Sequence, residues 1–163
     1  MSTSEQPSED QQVQSPDSAT ASPASATPES ASAVPRSPEL YERSLKNAMT
    51  VARIADELRG QDIVVMDLTT VTSIVDFFVV VTGTSRRQMN AIADEVNRKI
   101  KQDDGNSRLG IEGYRTEGHW ILVDFGDIVL HVFTTEGRAA YDLEQLWADA
   151  ARVDWQESAA DNN

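Results

Sequence analysis

The stretch V-V-V-T-G-T-S-R-R-Q-M-N, Val79 to Asn90, runs from a β-branched strand through one glycine and two hydroxyl residues into a helical period. Consecutive valines suit a pleated backbone covered on both faces. Beyond the glycine, Met89, Ile92, Ala93, Val96 and Ile100 keep helical spacing as far as the D-D-G-N turn at Asp103 to Asn106. The helix acts as a crossover, which implies at least one parallel strand pair. The same stretch poses a chemical question. Backbone N–H groups at a helix N-terminus, with a dipole equal to about half a positive charge, bind anions, and Gly83 permits close approach. Gly83, Thr84, Ser85 and Arg86 therefore read either as a phosphate cradle or as a strand end followed by a hydroxyl helix cap.

Upstream, Asp62 to Leu68 (D-I-V-V-M-D-L) and Asp76 to Thr82 (D-F-F-V-V-V-T) are nearly continuous apolar runs, expected as interior strands covered on both faces. The segment T-T-V-T-S-I-V between them reads as a projecting loop. Ser37, Pro38 and Glu39 give a helix start, and Leu45, Ala48, Ala52 and Ala55 give its apolar stripe before the stop at Gly60. Downstream, Trp120 to Phe133 (W-I-L-V-D-F-G-D-I-V-L-H-V-F) reads as a hairpin turning at Gly126 and Asp127. A last helix from near Glu136 carries Tyr141, Leu143, Leu146 and Trp147. The order helix, strand, strand, helix, strand, strand, helix predicts an α/β fold with a mixed β-sheet flanked by helices.

Only part of the 163 residues supports such a fold. Residues 1–37 form an acidic Ser/Ala/Pro-rich segment that cannot bury enough apolar surface to offset its ordering entropy, so it reads as a disordered tail. It holds five acids and one Arg, unlike an organelle transit peptide. Residues 38–153 are expected to fold, and 154–163 to form a flexible C-terminal tail. No window approaches the roughly 18 apolar residues of a membrane span, which predicts a cytoplasmic protein with no membrane partner. There is no cysteine, which excludes disulfides and thiolate zinc sites. The formal charge of −13, with basic residues scattered, argues against direct sequence-specific nucleic-acid binding. A basic protein is the better match.

Strand, Gly-Thr-Ser, helix also opens the nucleotidyltransferase fold, in which alternating carboxylates on a neighbouring strand hold magnesium. That pair is missing here. Asp94 and Glu95 are adjacent on a helix, and Asp62 and Asp67 are five apart on a strand, hence on opposite faces. Asp124, Phe125 and Gly126 share three letters with the magnesium-binding motif of protein kinases, without the strand lysine or catalytic loop that belong with it. His119 and His131 fall on opposite arms of the hairpin, where Asp124 would be their only further ligand. Ser73 and Ser85 have no base at a nucleophile's spacing. No catalytic residue, metal or cofactor is expected. The alternative is a nucleotide-binding enzyme using Gly83, Thr84 and Ser85.

Taken together, Q-D-I-V-V-M-D-L, S-I-V-D-F-F-V-V-V-T-G-T-S, I-E-G, the hairpin Trp120 to Phe133 and E-G-R-A-A-Y-D-L-E-Q-L-W resemble the ribosomal silencing factor family, also called Iojap-like proteins. The resemblance covers about Leu45 to Trp147. It implies a nucleotidyltransferase-like α/β fold that has lost its catalytic carboxylates. It also implies docking on ribosomal protein fourteen of the large subunit, blocking small-subunit joining and repressing translation. The family's contact positions fall on Trp120 and Tyr141. Leu122 and Asp124 share a strand face with Trp120, and Asp124 and Asp127 would add acidic character. His131 and Arg138 match family positions too, either as contacts or as supports.

Overall fold

The computed structural model describes residues 36–105 and 108–157. The expected tail over 1–35, Asn106 of the D-D-G-N turn and residues 158–163 lie outside the described residues. Helix α1, Pro38–Glu57, starts as its sequence predicts: Ser37 Oγ accepts from the Leu40 N–H at 3.2 Å, and Pro38 occupies the first turn. Its buried stripe includes Ala48, Val51, Ala52 and Ala55. Strand β1, Gln61–Asp67, and strand β2, Phe77–Thr82, follow. Helix α2, Arg86–Asp104, ends at Gly105, whose positive φ of 62° closes the last turn.

The hairpin is formed by β4, Trp120–Asp124, and β5, Ile128–Phe133. The sheet is mixed, with β2 and β5 parallel across the α2 crossover and β1/β2 and β4/β5 antiparallel. Two short strands escape the sequence reading: β3, Gly110–Glu112, on β4, and β6, Ala151–Val153, on β1. Three residues are too few to show an alternation. The strand order is β3-β4-β5-β2-β1-β6.

Three expectations are corrected. All six residues of β2 are buried, but in β1 only Val65 and Met66 are. The reason is that β6 pairs only with Val65 to Asp67, and Asp62, at φ 47°, bulges out of register. The single last helix is two: α3, Thr135–Tyr141, and α4, Leu143–Leu146, separated by Asp142 in the left-handed region at φ 42°, ψ 56°. Finally, the packed chain continues beyond Val153, because Trp155 lies against the core and its indole N–H donates to the Ile63 carbonyl at 3.3 Å.

The two faces of the sheet differ. Long helices α1 and α2 cover one, burying Val51, Phe77, Val79, Met89, Ile92, Ile121 and Leu130 between them. On the other, Met66, Leu68, Phe78, Val80, Val129 and Phe133 are covered by Leu143, Ala150 and the loop carrying Val71 and Val75. Helices of seven and four residues cannot span a sheet of six strands. Its β4 side is left partly open.

Candidate binding face

The loop after β2 uses its polar groups on itself. Ser85 Oγ accepts from the Gln88 N–H at 3.2 Å, and Gln88 Oε1 accepts from Thr84 N at 2.7 Å, a variant of the reciprocal helix cap. Gln88 Nε2 donates to the carbonyls of Leu58 and Arg59, tying the end of α1 to the start of α2. The Gly83 N–H is engaged by the Phe133 carbonyl at 2.7 Å. A Cβ on Gly83 would stand 2.5 Å from Met89 Cγ, so the glycine serves helix packing. Arg86 turns away from the loop toward the carbonyls of Gly113 and Gly118. The stretch whose sequence suggests a phosphate cradle caps α2 and braces the end of α1 against it.

The acids are spoken for in the same way. Asp67 accepts from the Tyr41 hydroxyl at 2.8 Å and from Thr69, and burial together with Asp67 pushes the Tyr41 hydroxyl up to about 12. Asp94 takes the Tyr114 hydroxyl at 2.6 Å, and Glu95 pairs with Arg98. Among the described residues no three His, Asp or Glu side chains come together as a metal site. His119 Nδ1 lies 2.9 Å from Thr134 Oγ1, while His131 faces Trp120.

On the open side of the sheet, Trp120 is the centre of an aromatic cluster. Its ring centroid lies 4.6 Å from Tyr141, 5.1 Å from Phe133 and 5.6 Å from His131. Tyr141, tilted against Trp120 as the outer member of this cluster, is 52% exposed. Leu122 packs beside Trp120 on the same sheet face, as the period-two alternation requires. His131 is buried, and its Nδ1 accepts from the Trp120 indole N–H at 3.2 Å. That bond puts the neutral imidazole's proton on Nε2, which has no hydrogen-bond partner among the described residues. Burial pushes His131 down to about 3, so the ring is neutral near pH 7.

The structure therefore brings Trp120, Leu122 and Tyr141 together. Asp124 lies on the same face but at the far end of β4, about 13 Å along the strand, and its Oδ1 accepts from the Gly126 N–H at 2.7 Å. Asp127 does not join them: it accepts from Ser44 Oγ of α1 at 2.7 Å, toward the opposite face. Arg138 is a support, held by Glu144, Thr82 and the Asp62 carbonyl. Leu146, which the sequence places on the last helix, is a further apolar surface residue, 71% exposed on α4. The break at Asp142 turns it outward.

Fold and site together define a small mixed α/β domain with a six-stranded sheet, two long helices on one face and an aromatic cluster on the other, whose loop between β2 and α2 carries its own helix cap. The chain belongs to the family described as ribosomal silencing factor during starvation, whose profile matches residues 41–163. It is thus a translation regulator by family. It is similar to ribosomal silencing factor RsfS of Bacillus subtilis, 36% identical over 110 residues that make up 67% of this chain and 92% of that protein. A crystal structure of a Chromobacterium violaceum protein superposes with a TM-score of 0.58 at 36% identity, over 66% of this chain and 86% of that one. At greater distance, mouse mitochondrial assembly of ribosomal large subunit protein 1 is 33% identical over 101 residues, 61% of this chain and 43% of that protein.

Proposed function

We propose that this protein binds the large ribosomal subunit through ribosomal protein fourteen and represses translation by sterically blocking small-subunit joining. The observation that carries this reading is the half-exposed Tyr141 ring packed at a tilt against Trp120, beside Leu122, on the sheet face that the short helices leave open. Tyr and Trp anchor interfaces because they cover large area at small entropic cost. An acidic chain of charge −13 approaches a basic ribosomal protein with electrostatic help. The mouse relative is named for assembly of the ribosomal large subunit, which agrees with the choice of partner. Asp124 extends the surface along β4. The site of action is cytoplasmic, and among the described residues no helix is long and apolar enough to cross a membrane.

Occupying a shared surface is sufficient for repression, so no nucleotide is consumed. Light scattering of subunit joining, titrated with this protein, should show a block that tracks the fraction of large subunits bound and is indifferent to added nucleoside triphosphate. Inhibition at sub-stoichiometric protein that requires triphosphate would contradict the steric reading and favour an enzyme. Tyr141→Ala and Trp120→Ala should each weaken large-subunit binding by about 2 kcal/mol or more, the scale of an interface hot spot. Sucrose-gradient sedimentation of the folded variants measures this, and wild-type co-sedimentation by both would exclude the face.

A further inference from the structure

We infer that Arg138 is a positioning residue for partner binding: it sets where Tyr141 stands over Trp120, though none of its hydrogen bonds reaches either ring. This rests on the aromatic face being the docking surface. Helix α3 has only seven residues, too few for its own backbone bonds to hold it in place. It must be fixed by tertiary contacts. On one side Gly137 provides the contact, since a Cβ there would stand 2.5 Å from the His119 carbonyl oxygen at the start of β4. Tyr141 is four residues further on, hence on that same helix face, and this brings it over Trp120.

Close approach alone does not stop a short helix from sliding or rotating. Arg138 supplies the restraint from the neighbouring face. Its Nη1 donates to the Asp62 carbonyl at 2.6 Å and to Thr82 Oγ1 at 3.0 Å, so it reaches the bulge of β1 and the end of β2. Its Nε and Nη2 both donate to Glu144 Oε1, at 2.9 and 2.5 Å, so it also reaches α4. The two side chains are only 14% and 18% exposed, where a charge-assisted pair is little screened. Between the partners lies Asp142, a non-glycine residue at positive φ, a conformation that costs free energy and persists only where its surroundings impose it. The guanidinium thus clamps both sides of the helix break. The planar fork of Arg fits this geometry, whereas the point charge of Lys cannot reach all three partners.

The test couples a spectroscopic readout of the ring pair to binding. In the wild-type protein, NMR should show Tyr141 ring protons displaced from free-tyrosine values by the ring current of Trp120. Arg138→Gln should move them toward the free values in a protein that remains folded. Affinity for isolated large subunits should fall as far as in Tyr141→Ala, roughly thirtyfold. Adding Arg138→Gln to Tyr141→Ala should then produce no further loss, because both act through one ring. Unchanged Tyr141 resonances in folded Arg138→Gln, or losses that multiply in the double variant, would overturn the positioning role. Should Arg138→Gln fail to fold, Glu144→Ala, which removes two of the four bonds, is held to the same outcomes. The ring shifts are read without ribosomes. A wild-type protein that ignores large subunits would therefore defeat the functional reading, and this role in binding with it, even if the rings respond as expected.

Discussion

Gly113→Ala is expected to cost about 3 kcal/mol or more of folding stability, in the class of steric changes that a backbone cannot relax around. Gly113 follows β3 at φ +72°, and a Cβ there would stand 2.0 Å from the Trp120 carbonyl oxygen and 3.1 Å from its carbonyl carbon. Both obstacles are backbone atoms of β4, so no rotamer change relieves the clash. The local chain is also held from the other side, because the Gly113 carbonyl accepts from Arg86 at 3.0 Å and from Thr116 at 3.0 Å. Either β3 parts from β4 or the backbone of Trp120 shifts, and the second outcome would disturb the aromatic face. Gly105→Ala is the control. Its φ is +62°, but nothing lies within 4 Å of its added Cβ, so only the left-handed conformation, about 1 kcal/mol, is charged against it. Urea denaturation of both variants separates clash from conformation, and equal losses would show that β4 does not approach Gly113 so closely.

That close approach had no signature in the sequence, since I-E-G contains nothing to say that a strand ends there against another strand's carbonyl. Much else was legible. The 3.6 period of α1 and α2 and the valine-rich β2 specify one packed face, because their apolar positions have few alternative ways to be covered. The hairpin around Gly126 was legible for a related reason: two apolar runs flank a turn whose glycine takes φ 94°. Elements made of three residues, β3 and β6, were not, because pairing with an existing strand rather than local preference creates them. The break at Asp142 was hidden too. Leu143, Leu146 and Trp147 continue an apolar pattern, and only the Arg138 clamp to Glu144 shows why the helix stops and restarts.

The same contrast divides the candidate site. Trp120 and Leu122 could be placed together from strand alternation, and the family resemblance supplied Tyr141. Asp127 could not be placed, because a turn residue points wherever its hydrogen bond takes it, here to Ser44 on α1. The Gly-Thr-Ser loop was ambiguous in principle, since a helix cap and an anion site draw on the same residues. Engaged donors favour the cap, and here Gln88 takes the Thr84 N–H and the Phe133 carbonyl takes the Gly83 N–H.

Acidification from pH 7 to pH 5 is expected to remove about 2 kcal/mol of stability through His131 alone, at 1.36 kcal/mol for each pH unit of differential protonation. The ring is buried among Phe78, Trp120 and Phe133, and burial pushes it down to about 3 from an unfolded value near 6.5. Between those values the unfolded chain binds a proton that the folded ring refuses. Stability is therefore fully present above about pH 6.5, falls as pH drops through that point, and levels out only near pH 3. The interval from 7 to 5 stays above the sequence pI of 4.4, where loss of net charge promotes precipitation. It also lies above the range in which Asp104, held low by its hydrogen bond from Arg43, would take up a proton. Urea denaturation at the two pH values measures the loss. His131→Phe should flatten it, since phenylalanine keeps an aromatic ring and cannot titrate, while the unpaired Trp120 N–H costs the same at both pH values. An undiminished loss in that variant would place the proton elsewhere. The neutral state also matters for the face itself, because a protonated His131 has no lone pair at Nδ1 to accept from Trp120.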